Sequence, residues 1–150
     1  MLQINYNNMG QQEIIVKNSE GYTSSIYSAG HTWNSDEPES FGGTDTGPTP
    51  YDLLLSALGS CKAMTIRMYA KRKNIPLEEI TIKLSQKKIH AEDCANCEAT
   101  TGKIDSIDIL IGLEGDLTEE QKDTLLSIAE RCPIQKTLMS EIQINSALET

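Results

Sequence analysis

The sequence predicts an α+β fold, and three observations carry this prediction. Short β candidates separated by Asn, Gly and Ser come first, a long helical segment follows them, and two alternating strands lie further along the chain. With 150 residues, of which 38 % are hydrophobic, the chain is long enough to bury a core. We therefore expect a single domain over residues 1–150.

The charge of the chain limits its partners. Thirteen Lys and Arg residues oppose 22 Asp and Glu residues, which gives a net charge of −9. Nucleic acid and anionic membrane surfaces would repel such a chain, so we expect neither as a partner. The first residues, MLQINYNNMG, lack the basic and apolar regions of a secretory signal. The sequence therefore favours a cytoplasmic protein that binds small neutral or apolar molecules.

Three short β candidates precede the helix, at Glu13–Lys17, Thr23–Ser28 and His31–Trp33. The segment DEPESFGGTDTGPTP then runs from Asp36 to Pro50 and contains three Pro and three Gly. Neither a helix nor a strand tolerates that combination, so the segment is predicted to be a loop that leads into the helix.

The long helix is predicted from about Pro50 to Lys73. Thr49 suits the N-cap, Asp52 completes a capping box with it, and the sequence Asn-Ile-Pro over residues 74–76 ends the helix. Between Leu53 and Ala70 only Lys62 and Arg67 are charged. A helix that is apolar on most sides needs cover from its own sheet or from a second chain, and this favours a dimer.

The second half of the chain contains two alternating strands and two further helices. The alternation of Ile and Leu with other residues predicts strands at Ile80–Leu84 and Ile107–Leu113, joined by a connection that includes Ala91–Gly102. Thr118 and Gln121 form a second capping box, which opens a helix that ends near Arg131. A short helix over Pro133–Met139 and a final strand through Ile142 and Ile144 follow.

Cys61 and Cys132 are the first candidates for chemistry. Cys61 shares a face of the long helix with Leu54, Leu58 and Met68, so it is either an ordinary core cysteine or a thiol in an apolar site. Cys132 precedes Pro133 and is predicted to be the N-cap of the short helix. There the helix dipole and the neighbouring Arg131 would lower its pKa, unless the thiol simply packs at a helix junction.

Cys94 and Cys97 form a lone CxxC pair close to His90. Zinc usually requires four ligands, and this segment supplies three soft ones, so a metal site competes with a redox-labile pair and with plain loop cysteines. His31, beside Trp33, is either a structural residue or a base, and Asp52 is already explained by the capping box.

The two cysteine segments resemble one known family. The stretch GPTPYDLLLSALGSCKAMT, together with AERCPIQKTL, whose cysteine lies 71 residues after that of the first stretch, is similar to the osmotically inducible protein C and organic hydroperoxide resistance (OsmC/Ohr) family. The segments DEPESFGGTDTGPTPYDLL, DCANCE and GDL are similar to the OsmC-like branch that also occurs behind α/β-hydrolase domains.

This resemblance implies an OsmC-like fold in which antiparallel sheets pack around two main helices and two chains intertwine as a homodimer. It also implies an antioxidant, stress-response peroxidase that needs no cofactor. Cys61 would attack an organic hydroperoxide and become a sulfenic acid, Cys132 would resolve it as a disulfide, and a dithiol such as dihydrolipoamide would reduce that disulfide. Apolar residues near Cys61, including Leu54, Leu58 and Met68, would hold the alkyl chain.

The sequence departs from the peroxidase pattern at two positions. In the peroxidase branches a Glu ten residues before the first cysteine pairs with an Arg near the N-terminus, whereas this chain has Tyr51 there, beside Asp52, and no Arg before Arg67. Arg67, Arg131, His31 or a group of a second chain would then have to supply the cation beside the thiolate. The alternative is a non-catalytic module of the same fold, which binds a small hydrophobic ligand or a partner protein.

Overall fold

A computed structural model describes residues 13–93 and 101–149 of the chain. These residues form two compact units, one of residues 13–54 and 142–149 and the other of residues 55–93 and 101–141. Within the described residues there are three α-helices and two antiparallel sheets, so the predicted α+β class is confirmed. No helix among the described residues is long and apolar enough to span a membrane.

The first unit contains a three-stranded sheet. Strands β1 (Ile15–Lys17), β2 (Ser24–Ser28) and β3 (His31–Ser35) pair in chain order, each antiparallel to its neighbour. A tight turn through Ala29 and Gly30, both with positive φ, joins β2 to β3. All three predicted strands are therefore present, with ends shifted by one or two residues.

A buried carboxylate organises the loop after β3, which includes a 3₁₀ turn at Glu39–Phe41. Asp36 accepts hydrogen bonds from the backbone N–H and the hydroxyl of both Thr44 and Thr46, and from the backbone N–H of Glu37. The Thr44 hydroxyl is the main cause that holds the pKa of Asp36 far below its usual value. The predicted loop is thus an ordered turn folded around one charge.

Helix α1 spans Pro50–Lys73, the predicted bounds. The capping box is present, because Thr49 N–H donates to Asp52 and Asp52 N–H donates to the Thr49 hydroxyl. Asn74 adopts a left-handed conformation with φ of 53° and ends the helix. Four of the five buried positions recur every four residues, so α1 packs along one stripe that contains Leu58, Lys62, Ile66 and Ala70, with Gly59 buried beside it.

The rest of the second unit is a long hairpin and two helices. Strands β4 (Leu77–His90) and β5 (Lys103–Gly115) pair antiparallel, with a 3₁₀ turn at Ala91–Asp93 after β4. The two strands pair over more residues than the apolar alternation predicted. In the added part, the exposed cross-strand ion pairs Lys87–Asp108 and Lys88–Asp105 connect the strands.

Helix α2 (Glu119–Ala129) begins at the predicted Thr118 capping box, and α3 spans Pro133–Leu138. The core of this unit forms where α1, β4 and α2 meet, around Ile66, Leu77 and Leu125. The prediction of a final strand is wrong, because Ile142 and Ile144 are exposed and pair with no strand among the described residues. Alternating residues form a strand only where a sheet edge accepts their backbone hydrogen bonds.

Candidate functional site

Cys61 lies in the middle of α1 and is half-buried. One turn earlier along the helix lies Leu58, which is buried, and one turn later Thr65 donates its hydroxyl to the Cys61 carbonyl at 2.8 Å. The apolar periodicity of the helix therefore turns the Cys61 side chain toward the inside of the second unit while leaving part of it accessible.

Cys132 lies between α2 and α3, directly before Pro133, and is fully buried. It is the N-cap residue of α3, as predicted. Its thiol lies near that of Cys61, because Cys61 is one of the groups that raise the pKa of Cys132, although the two residues are 71 positions apart in the sequence. Both thiols are free. The structure thus brings the two predicted cysteines together.

The prediction that the N-cap position lowers the pKa of Cys132 is wrong for the net shift, which is upward. Burial raises the pKa of the Cys132 thiol, and the neighbouring Cys61 raises it further. The backbone N–H groups of Gln135 and Ile134 act in the opposite direction but are outweighed. A helix of six residues offers only a small dipole, whereas burial removes the solvation that a thiolate needs. Cys132 therefore rests as a protonated thiol.

Lys62, next to Cys61 in the sequence, is a site residue that the sequence analysis did not identify. Its side chain is 1 % exposed, and its ammonium donates to the Ala129 carbonyl at 3.1 Å and to the Glu130 carboxylate at 3.2 Å. A signal for it existed, because Lys62 stands midway between Leu58 and Ile66 at the four-residue spacing of a buried helix face.

The cations proposed to assist the thiolate have different positions. Arg67 donates both ends of its guanidinium to the carbonyls of Leu77 and Glu78, so it holds the start of β4 against α1. Arg131 is exposed beside Cys132 in the sequence. His31 is exposed on β3 of the first unit. The guanidinium of Arg67 is therefore already hydrogen-bonded to backbone carbonyls, whereas Arg131 and His31 remain candidates.

Two concave surfaces are lined by residues that lie close in sequence to Cys61 or Cys132, although neither cysteine is part of either lining. The larger, which we call the β5 cavity, has a volume of about 440 Å³, and Glu130 and Gln135 in its wall lie two and three residues from Cys132. Its lining is Leu58, Asp105, Ile107, Ile109, Glu130, Gln135, Leu138 and Met139. The smaller, which we call the Arg131 groove, has about 360 Å³ and is lined by Thr65, Met68, Tyr69, Arg72, Ile128, Arg131 and Pro133.

The remaining predicted site residues are distributed along α1 and beyond it. Tyr51 and Leu54 are exposed near the start of α1, where Asp52 closes the capping box, and Met68 is exposed in its second half. His90 is the last residue of β4 and is exposed, while Cys94 and Cys97 lie outside the described residues. No three metal-ligating side chains converge within residues 13–93 and 101–149.

Comparisons with known proteins agree with this architecture. Residues 43–147 match the family described as OsmC-like protein. A proposed osmotic stress induced and detoxification response protein from Psychrobacter arcticus is 21 % identical, with a TM-score of 0.67 over 87 % of this chain and 90 % of the other. An OsmC like protein from Mycoplasma pneumoniae is 19 % identical, with a TM-score of 0.66 over 88 % and 89 %.

A third solved structure carries a functional name. The organic hydroperoxide resistance protein OsmC from Legionella pneumophila is 18 % identical to this chain, with a TM-score of 0.62 over 88 % of this chain and 91 % of the other. Comparison with curated proteins gave no match. At these identities the solved structures establish a shared fold.

Proposed function

Because this chain belongs to the OsmC-like protein family, we propose that it reduces organic hydroperoxides with the thiols of Cys61 and Cys132. The observation that carries the proposal is the proximity of these two side chains, which come from distant parts of the sequence yet interact closely enough for Cys61 to raise the pKa of Cys132. The name of the Legionella protein, an organic hydroperoxide resistance protein with the same fold, supports the same chemistry.

The proposed reaction has three balanced steps. The Cys61 thiolate attacks the O–O bond of the hydroperoxide, forms Cys61 sulfenic acid and releases an alkoxide that is protonated to the alcohol. The Cys132 thiol then attacks the sulfenic sulfur, which forms the Cys61–Cys132 disulfide and releases water. Finally, an external dithiol exchanges with this disulfide, restores both thiols and becomes a cyclic disulfide itself.

The environments of the two thiols support this order of attack. Cys132 is fully buried and its raised pKa keeps it protonated, so it is a poor first nucleophile. Cys61 is half-buried, so a peroxide can reach it, and the Cys132 thiol lies close to it for the second step.

The β5 cavity supports an apolar substrate. Leu58, Ile107 and Ile109 give its wall an aliphatic surface that suits the alkyl group of a hydroperoxide. Its volume of about 440 Å³ falls within the range of small-molecule sites. The net charge of −9 disfavours strongly anionic substrates, so we propose neutral or weakly charged alkyl and aryl hydroperoxides.

Cysteine variants test the proposal directly. With cumene or t-butyl hydroperoxide and dihydrolipoamide, the wild-type chain is expected to consume peroxide and dithiol in equal amounts. Cys61→Ser abolishes this turnover. Cys132→Ser, given one equivalent of peroxide and no dithiol, is expected to accumulate Cys61 sulfenic acid that dimedone traps, since the resolving thiol is absent. The double variant Cys94→Ser, Cys97→Ser is the matched control and retains turnover. Full activity of Cys61→Ser would end the proposal.

We also propose that one OsmC-like domain of residues 1–150 functions as a homodimer. Met64 and Met68 are exposed on α1 in the single chain, and an apolar helix face of this kind is normally covered by a partner. Light scattering should give twice the mass of the chain, and a monomer at micromolar concentration would contradict this part of the proposal.

A non-catalytic role is the second candidate function. Tyr51 in place of the Glu of the peroxidase branches, and the lack of any Arg before Arg67, favour it, and the β5 cavity offers a site for a small hydrophobic ligand. Native mass spectrometry of the purified chain tests this candidate. A copurifying ligand without peroxide turnover would favour it, and an empty cavity with rapid turnover would exclude it.

A further inference from the structure

The burial of Lys62 has a free-energy cost that stability alone does not explain. Its side chain is 1 % exposed in the stripe of α1 that also contains Leu58 and Ile66. Removing an ammonium group from water is unfavourable unless excellent hydrogen bonds compensate, and a hydrophobic residue of similar length is often at least as stabilising in such a place. The reason for a lysine at this position therefore lies in the hydrogen bonds of its ammonium group rather than in the volume that its side chain fills.

These contacts connect α1 to the turn that holds Cys132. The Lys62 ammonium donates to the Ala129 carbonyl at 3.1 Å, and the same carbonyl accepts the backbone N–H of Cys132 at 3.3 Å. The ammonium also pairs with one oxygen of Glu130 at 3.2 Å. Lys62 thus fixes the last residues of α2, immediately before Cys132.

The second oxygen of the same carboxylate connects to the other side of the turn. Glu130 accepts the side-chain amide of Gln135 at 2.6 Å, and Gln135 lies in the first turn of α3. The amide of Gln135, followed by Lys62, keeps the pKa of Glu130 below its usual value, so the carboxylate remains ionised. One charge therefore joins α1, α2 and α3 around Cys132.

We propose that Lys62, Glu130 and Gln135 are positioning residues that hold the Cys132 turn against Cys61 and thereby set how readily the Cys61–Cys132 disulfide forms. This inference rests on the proposed function, because it assigns these residues to the resolving step. Lys62 follows Cys61 directly on a rigid helix, so anchoring Cys132 to Lys62 also anchors it to Cys61.

The chemistry predicts which step responds. Resolution joins the Cys132 sulfur to the Cys61 sulfenic sulfur and expels water, so its rate depends on the distance and angle between the two sulfurs. The rate at which Cys61 attacks peroxide does not depend on the distance between the two sulfurs. Loosening the turn should therefore lengthen the lifetime of the sulfenic acid and expose it to further oxidation to sulfinic acid by excess hydroperoxide.

Lys62→Met is the decisive variant, because methionine is an unbranched side chain one atom shorter than lysine, which fills most of the buried space and lacks the ammonium group. Glu130 is 62 % exposed, so it remains solvated without its partner, and the Ala129 carbonyl keeps the Cys132 N–H. We expect folding to be preserved, with an unchanged urea midpoint. In glutathione redox buffers, the equilibrium constant for forming the Cys61–Cys132 disulfide should fall about tenfold, the loss expected for one charged hydrogen bond. In a separate experiment, after one equivalent of cumene hydroperoxide is added to the reduced chain, trapping with dimedone should show more Cys61 sulfenic acid than in wild type.

Two further variants separate positioning from general stability. Lys122→Met removes the exposed Lys122–Glu119 ion pair at the other end of α2 and should leave the disulfide equilibrium unchanged. Glu130→Gln keeps the side-chain shape but leaves one acceptor for two donors, so it should weaken the disulfide in the same direction. Adding Glu130→Gln to Lys62→Met should have little further effect, since both act through one network.

An unchanged disulfide equilibrium in Lys62→Met, or a loss equal to that in Lys122→Met, would overturn the inference. The glutathione measurement uses no hydroperoxide, so it is independent of the proposed activity. A wild-type chain that forms the disulfide but does not turn over peroxide would contradict the proposed function while leaving the positioning role intact.

Discussion

Replacing Leu125 by alanine tests the packing that carries α2, and with it Cys132. Leu125 is 0 % exposed and packs with Ile66, Ala70, Leu77 and Ala129. The substitution removes three carbon atoms, which corresponds to about 2.4 kcal/mol of transfer free energy at about 0.8 kcal/mol each. The cavity left behind adds to this cost, so we expect a total loss of roughly 3 to 4 kcal/mol in the free energy of unfolding.

The next residue provides a matched control. Leu126 lies on the same helix and is 52 % exposed. Leu126→Ala therefore removes the same three carbon atoms and changes helix propensity by the same amount as Leu125→Ala, but it leaves no cavity in the core. We expect it to cost less than about 1 kcal/mol. Urea denaturation followed by circular dichroism, at one protein concentration for all variants, measures both values. Losses that agree within about 1 kcal/mol would refute the assignment of Leu125 to the core.

Two further predictions concern pH. Because burial raises the pKa of Cys132, its contribution to stability is complete below the ordinary thiol pKa of about 8.5 and is lost as the pH rises above it. Wild type should therefore lose more stability than Cys132→Ala between pH 8 and about 10, and equal losses in urea titrations would contradict the burial argument. Hydrogen bonds from Thr44 and others lower the pKa of Asp36, so its contribution is present above about pH 4 and is lost as the pH falls below that value. Asp36→Asn should melt at a lower temperature than wild type at pH 7, and this difference in melting temperature should narrow below about pH 4. The exposed control Asp45→Asn should melt close to wild type at pH 7. A difference for Asp36→Asn that stays constant with pH would count against this role.

Elements whose signals lie within a few residues were predictable. The capping box at Thr49 and Asp52 and the stop at Asn74 defined both ends of α1, and the capping box at Thr118 defined the start of α2. A capping hydrogen bond joins groups about three residues apart, so the same atoms meet whatever the rest of the chain does. Strand alternation located β4 and β5 for the same reason, although cross-strand pairing extended them.

The failed predictions depended on groups far away in the sequence. Alternation in Ile142 and Ile144 predicted a strand, but a strand also needs a neighbouring edge, which the local sequence does not specify. The N-cap position of Cys132 predicted a lowered pKa, but its sign was decided by burial and by Cys61. The N-cap position of Cys132 was predicted correctly, but burial outweighed the effect of the helix N–H groups on its pKa.

The sequence by itself determined the helices, the hairpin strands and the α+β class, because these follow from short-range hydrogen bonding and from the periodicity of apolar residues. The choice of Cys61 and Cys132 as a pair came from the resemblance to a known family. Tertiary structure decided which side chains meet: Cys61 with Cys132, and Lys62 with Glu130, which is 68 residues away. It also decided how much water each group loses. Proximity and desolvation set the reactivity of a thiol and the cost of a buried charge, and both arise only when the whole unit has packed.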